Sequence, residues 1–149
     1  VTDGFLLDTN VVSATAPDRR TVSDAAQAVA RRWIIENQSR LYVPVIAITE
    51  IAAGIGTREG AGPSGHAADL AAWLKAVLGG YPERLLVLDV EAALHAHTPS
   101  RKGREAGIVV GFADLTVACI ARAHGLVVAT GNLRDFVPMG IDTVDLFAA

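Results

Sequence analysis

The stretch FLLDTNVVS, Phe5 to Ser13, decides how this chain is read. Gly4 to Leu7 form a short apolar run, and the run ends on a charge at Asp8. A short apolar run bounded by turn chemistry is the pattern of a buried strand. Asp8 then has two readings. It can cap a helix that starts near Asn10, because a side-chain oxygen satisfies free amides at a helix start. It can also belong to a ligand site, because parallel α/β sheets bind ligands beyond the carboxyl ends of their strands.

Working outward, strands alternate with helices. Strands are expected at Arg40–Pro44, Arg84–Asp89, Leu126–Thr130 and in DTVDLF, Asp142 to Phe147. A helix is expected over Thr21–Asn37, capped by Thr21 or Ser23, with Val22, Ala25, Ala26, Val29, Ala30, Trp33 and Ile34 as its apolar stripe. Further helices are expected at Val45–Gly56, His66–Gly80 and Phe112–Gly125, the last stopped by its glycine. TREGAGPSG, Thr57 to Gly65, reads as a loop. VEAALHAHTPSRKG starts as a helix and runs into a basic loop at Pro99–Arg104, and GNLRDFVPMG reads as a turn region. The alternation predicts an α/β fold with a largely parallel sheet. No repeat or linker interrupts it, so one domain is expected over residues 1–149.

Composition narrows the class. The chain has 149 residues, 51% of them apolar, and a net charge of −3. Mean hydropathy is +0.36. The longest apolar run lies inside LYVPVIAI, far short of the roughly 20 residues a membrane span needs. The reading is a large core with a partner surface and no membrane. No charged segment followed by an apolar one opens the chain, so no signal peptide is expected. The one cysteine, Cys119, excludes an intrachain disulfide and a cysteine-based zinc site. A reducing cytoplasm is the expected location. The acidic balance argues against broad electrostatic attraction to nucleic acid, but a bound cation offsets acids locally.

Three acids stand in unusual settings. Asp8 closes an apolar strand, Glu50 is the one charge between Arg40 and Arg58, and Asp114 opens a helix, in the positive field of its dipole. Thr130, Asn132 and Asp135 fall at the same sheet edge. Carboxylates that converge in a half-dry cleft repel each other unless a cation intervenes. Oxygen donors without paired histidine or cysteine suit a hard cation, Mg²⁺ or Mn²⁺. Such an ion can activate water for in-line attack on a phosphodiester. Each acid also has a plain reading: helix caps for Asp8 and Asp114, a solvent-facing or Arg-paired side chain for Glu50.

The blocks LLDTNVVS, VIAITEIAAG and FADLTVACIARAHGLVVATGNLRDF, in this order, resemble the PIN-domain ribonucleases, and among them the VapC-type toxins of bacterial toxin–antitoxin pairs. The resemblance spans nearly the whole chain. It implies a three-layer α/β/α sandwich around a mostly parallel sheet of about five strands. It also implies an acidic Mg²⁺ or Mn²⁺ site, endoribonuclease activity that blocks translation, and a VapB-type antitoxin that wraps the enzyme and fills its site. A homodimer and a larger toxin–antitoxin complex belong to the same expectation. Asp8, Glu50 and Asp114 match the first three family acids, with the metal held mainly by Asp8 and Asp114. Asn132 and Asp135 compete for the fourth place. Gly131 stands where many relatives carry Arg, a lost phosphate contact for which Arg134 is a substitute.

Thr9, Asn10 and Thr130 are candidates to hydrogen-bond a carboxylate or phosphate oxygen, with turn and cap chemistry as the plain alternative. Arg101, Lys102 and Arg104, and also Arg19 and Arg20, are expected in loops and are candidates to flank the cleft and hold RNA phosphates, with a solvated loop as the plain alternative. Other signals fail. Gly54, Gly56 and Gly60 follow a helix at the wrong spacing for a dinucleotide fingerprint. His95 and His97 point about 200° apart on a helix and cannot share a metal. Ser64 lacks the spacing of a nucleophile elbow. Cys119, Trp33 and Trp73 read as core. An aspartyl-phosphate at Asp8 wants a second Asp where Asn10 stands. A non-catalytic alternative, a weakened PIN domain that binds RNA or a partner, rests on Asn132 and Gly131.

Overall fold

The computed structural model describes residues 3–17, 24–60 and 65–147. Five strands form its sheet: β1 (Phe5–Leu7), β2 (Leu41–Pro44), β3 (Leu85–Leu86), β4 (Val127–Thr130) and β5 (Thr143–Asp145). Their order is β3-β2-β1-β4-β5, and every pairing is parallel. β1 therefore lies at the centre, buried on both faces, as its unbroken apolar sequence requires.

Successive side chains of a strand point to opposite faces, and the core divides accordingly. Leu6 and Val128 pack on one side with Val117, Ile120, Phe136 and Met139. Leu7, Val43 and Ala129 pack on the other with Val11, Val12 and Ala47. On the Leu7 side lie α1 (Thr9–Ser13), α2 (Asp24–Glu36), α3 (Val45–Gly60) and α4 (Gly65–Gly80). On the Leu6 side lie α5 (Val90–Ala93), α6 (His97–Glu105), α7 (Phe112–His124) and α8 (Leu133–Phe136). The expected three-layer α/β/α sandwich is what forms. Cys119 is buried, and Trp33 and Trp73 pack against the core, as expected. No helix among the described residues is long and apolar enough to cross a membrane.

Several boundaries differ from the sequence reading. The helix expected to stop at Gly56 continues to Gly60, through residues read as loop. Ile55 of α3 packs against Leu70 and Leu74 of α4, and this packing outweighs the poor helix propensity of the glycines. The basic segment Pro99–Arg104 is helical rather than a loop. Pro99 falls in the first turn of α6, where a missing amide hydrogen costs little. β3 spans two residues instead of the six of Arg84–Asp89. β2 turns into α3 after Pro44, so Val87 and Leu88 have no strand to pair with and stand exposed.

In α2 the buried face holds Gln27 and Ala30, while Ala25 and Val29 are exposed. Gln27 donates its amide to Ala14 O at 2.7 Å, which satisfies a buried polar group that the apolar stripe did not reveal. The segment read as a turn after β4 contains α8 and a short 3₁₀ turn, Val137–Met139. Arg19, Arg20, Thr21, Val22, Ser23 and Ser64 lie outside the described residues.

Candidate active site

The sheet brings the acids together at its carboxyl edge. Asp8 follows the last residue of β1, and its amide donates to Ala129 O of β4 at 2.9 Å. Asp8 is 6% exposed. Thr9 N donates to its Oδ1 at 2.8 Å, which makes Asp8 the N-cap of α1. Thr130 Oγ1 donates to its Oδ2 at 2.8 Å. The cap reading of Asp8 therefore holds, and the same carboxylate lies at the cleft beside the other acids. Burial pushes the Asp8 carboxyl above the usual range, the bonds from Thr130 and Thr9 pull it down, and Glu50 and Asp135 push it up again.

Glu50 reaches the cleft from α3, exposed to solvent. Its Oε1 accepts from Thr9 Oγ1 at 2.6 Å. Asp114 is the third residue of α7, whose N-cap is Gly111, so Asp114 is not itself the cap. Burial first, then the charges of Asp8, Asp135 and Glu50, raise the Asp114 carboxyl to about 6. Asp135 lies within hydrogen-bond reach of Asp114 and adds to that rise, because a carboxyl can donate only while protonated.

The two candidates for the fourth place touch each other. Asn132 Nδ2 donates to Asp135 Oδ2, and Asp135 stands beside Asp8 and Asp114. Sequence reasoning treated the two as competitors; the separation of three residues across a helix start was the signal that they meet. Asn132 N donates to Thr130 Oγ1 at 2.8 Å, and Gly131 N donates to Asn10 Oδ1 at 3.2 Å. Asn10 therefore anchors the loop after β4. A Cβ at Gly131 would stand 2.6 Å from Cδ2 of Phe147, so the ring takes the space a side chain would need.

The basic residues divide. Arg134 is exposed on α8, beside Asp135. Lys102 lies over Gly140, in the turn that leads into the N-terminal end of β5, and so stands at the sheet end away from the acids. Arg101 pairs with Glu105 one helical turn on, at 3.3 Å. The segment is a helix rather than the loop that the sequence suggested.

The donors that face the cleft are carboxylate and hydroxyl oxygens, the set a hard divalent cation prefers. Among the described residues no three histidines, cysteines, aspartates or glutamates are gathered tightly enough to grip an ion as they stand. The chemistry of the cluster still fits one, because the charges of Glu50 and Asp135 help raise the carboxyls of Asp8 and Asp114, and a cation relieves the same repulsion.

An all-parallel five-stranded sheet with four acids at its carboxyl edge defines an acidic-site α/β enzyme. Residues 5–137 match the PIN domain. The chain is 33% identical over 148 residues to the plasmid stability protein StbB of Pseudomonas syringae pv. tomato, covering 97% of this chain and 99% of that protein. It is 30% identical over 134 residues to the tRNA(fMet)-specific endonuclease VapC of Salmonella typhimurium, covering 89% of each. The solved structure of FitAcB from Neisseria gonorrhoeae superposes with a TM-score of 0.81 at 22% identity, over 97% of this chain and 99% of that one. The chain belongs to the PIN domain family, and within it to the VapC-type ribonucleases.

Proposed function

We propose that residues 1–149 form one catalytic domain, an endoribonuclease toxin that uses Mg²⁺ or Mn²⁺ to hydrolyse RNA phosphodiesters and is held in check by a VapB-type antitoxin. The observation that carries this reading is the convergence of Asp8, Glu50, Asp114 and Asp135 at one sheet edge, where their charges raise the carboxyls of Asp8 and Asp114. Asp8 and Asp114 would hold the ion, with Asp135 completing the set and Glu50 either joining it or orienting the attacking water. When bound, the cation lowers the pKa of water and offsets charge on the phosphoryl oxygens.

The chain's own residues do the positioning. Thr130 and Thr9 N fix the two oxygens of Asp8. Asn132 fixes Asp135, and Asn10 fixes the loop that carries Asn132. Glu50 faces solvent, where a carboxylate can take the proton that attacking water gives up. Arg134, exposed on α8 next to Asp135 in sequence, would meet a substrate phosphate, a contact that positions RNA without reading its sequence. Water attack leaves a 5′-phosphate and a 3′-hydroxyl and leaves the ribose 2′-hydroxyl unused.

Val90, Leu94, Val109 and Phe112 are 79%, 75%, 98% and 73% exposed. Apolar surface of this kind is suited to burial against another chain, which supports a homodimer as well as an antitoxin complex.

The test is cleavage of structured RNAs by purified protein with Mn²⁺, in wild type and Asp8→Asn. Asp8→Asn should cost more than the roughly 10–100-fold that loss of an outer hydrogen-bond partner of a metal site costs. Products ending in a 2′,3′-cyclic phosphate, or equal cleavage in both preparations, would sink the proposal.

A further inference from the structure

We infer that Thr9 is a positioning residue that fixes Glu50 beside Asp8 for cation binding, on the reading of the site proposed above. Thr9 makes two bonds with two different acids. Its backbone amide donates to Asp8 Oδ1 at 2.8 Å, and its hydroxyl donates to Glu50 Oε1 at 2.6 Å. A threonine hydroxyl has one hydrogen to give, and here it goes to the acid on α3. The residue that starts α1 thus joins two carboxylates 42 positions apart, Asp8 at the end of β1 and Glu50 on α3.

Glu50 needs such a partner more than the other acids do. Asp8 is buried and held through both oxygens. Asp135 is held by Asn132. Glu50 is exposed and has a longer side chain with more rotamers to lose. The bond from Thr9 ties Glu50 to the β1–α1 junction. The fold itself does not depend on it, because Val11 and Val12 of α1 and Ala47 of α3 share one buried cluster. A solvent-facing hydrogen bond adds little to stability. Its effect lies in where Glu50 points, and a site works only when its ligands are held near the productive geometry.

The test measures Mn²⁺ binding to metal-free protein by calorimetry, alongside RNA cleavage. The variants are Thr9→Val, Thr9→Ser, Glu50→Ala and the Thr9→Val/Glu50→Ala double variant, with Thr9→Ala standing in for Thr9→Val if that variant does not fold. Thr9→Val should weaken Mn²⁺ binding roughly 10-fold or more, with kcat falling and the melting temperature of the metal-free protein little changed. Thr9→Ser should restore binding. The double variant should bind no more weakly than Glu50→Ala alone, because Thr9 acts through Glu50. Three results would overturn the inference: unchanged Mn²⁺ affinity in Thr9→Val, an equal further loss in the double variant, or a raised KM for RNA at unchanged Mn²⁺ affinity. Wild-type protein that neither binds Mn²⁺ nor cleaves RNA would instead remove the proposed function, and this inference with it.

Discussion

Thr130 has one hydroxyl and uses it twice, donating to Asp8 and accepting from Asn132 N, with no exposed surface. Thr130→Val keeps the shape but leaves both partners unsatisfied in a buried place, which should lower stability by about 1–3 kcal/mol. Chemical denaturation would measure it. Asp114 makes a second expectation. Its folded pKa of about 6 lies above the roughly 3.9 of a free aspartate. The folded state therefore binds more protons between these values. Asp114 contributes stability that is fully present below about pH 4 and is lost as pH rises through about 6. Metal-free Asp114→Asn should lose less stability than wild type between pH 5 and pH 8, as read by denaturation at each pH. Asp8 and Asp114 were legible in the sequence because each sits where an element begins or ends. The bond from Asn132 to Asp135 was not, because composition does not reveal which side chains meet.

Gly125 closes α7 in the left-handed region, at φ 66°. Side chains with a Cβ pay about 1–2 kcal/mol there, so Gly125→Ala should lower the melting temperature by roughly 2–8 °C at this chain length, a change that calorimetry resolves. The glycine stop of α7 was readable from sequence because it answers to local backbone geometry. The lengths of α3 and α6 were not. α3 runs past Gly54 and Gly56 because Ile55 packs against α4, a contact between distant residues. α6 begins before Pro99 because a proline in a first turn is permitted, and a proline in sequence does not say which turn it occupies. β3 stops early because β2 does, which is a property of its neighbour rather than of Arg84–Asp89.

The whole molecule carries repulsion that it does not resolve alone. A divalent cation that binds the folded chain only should add about 2.7 kcal/mol at roughly 100 times its Kd. Melting temperature should therefore rise with added Mn²⁺ and fall back with chelator, and this rise should disappear in Asp8→Asn. The layered architecture and its parallel sheet were visible in the alternation of strands and helices, since that alternation leaves few topologies open. The sheet order has a further consequence for how the enzyme comes into being. β1 is central, yet its Asp8 waits for Thr130, 122 positions later, to complete its hydrogen bonds. A ribosome adds residues in sequence, so a chain emerging only as far as Gly125 has made Asp8, Glu50 and Asp114 but has no β4 to seat them. The nascent toxin should thus be inactive until β4 has emerged. Stalled chains of that length, assayed for RNA cleavage beside stalled chains that expose residue 147, should show activity only in the longer set.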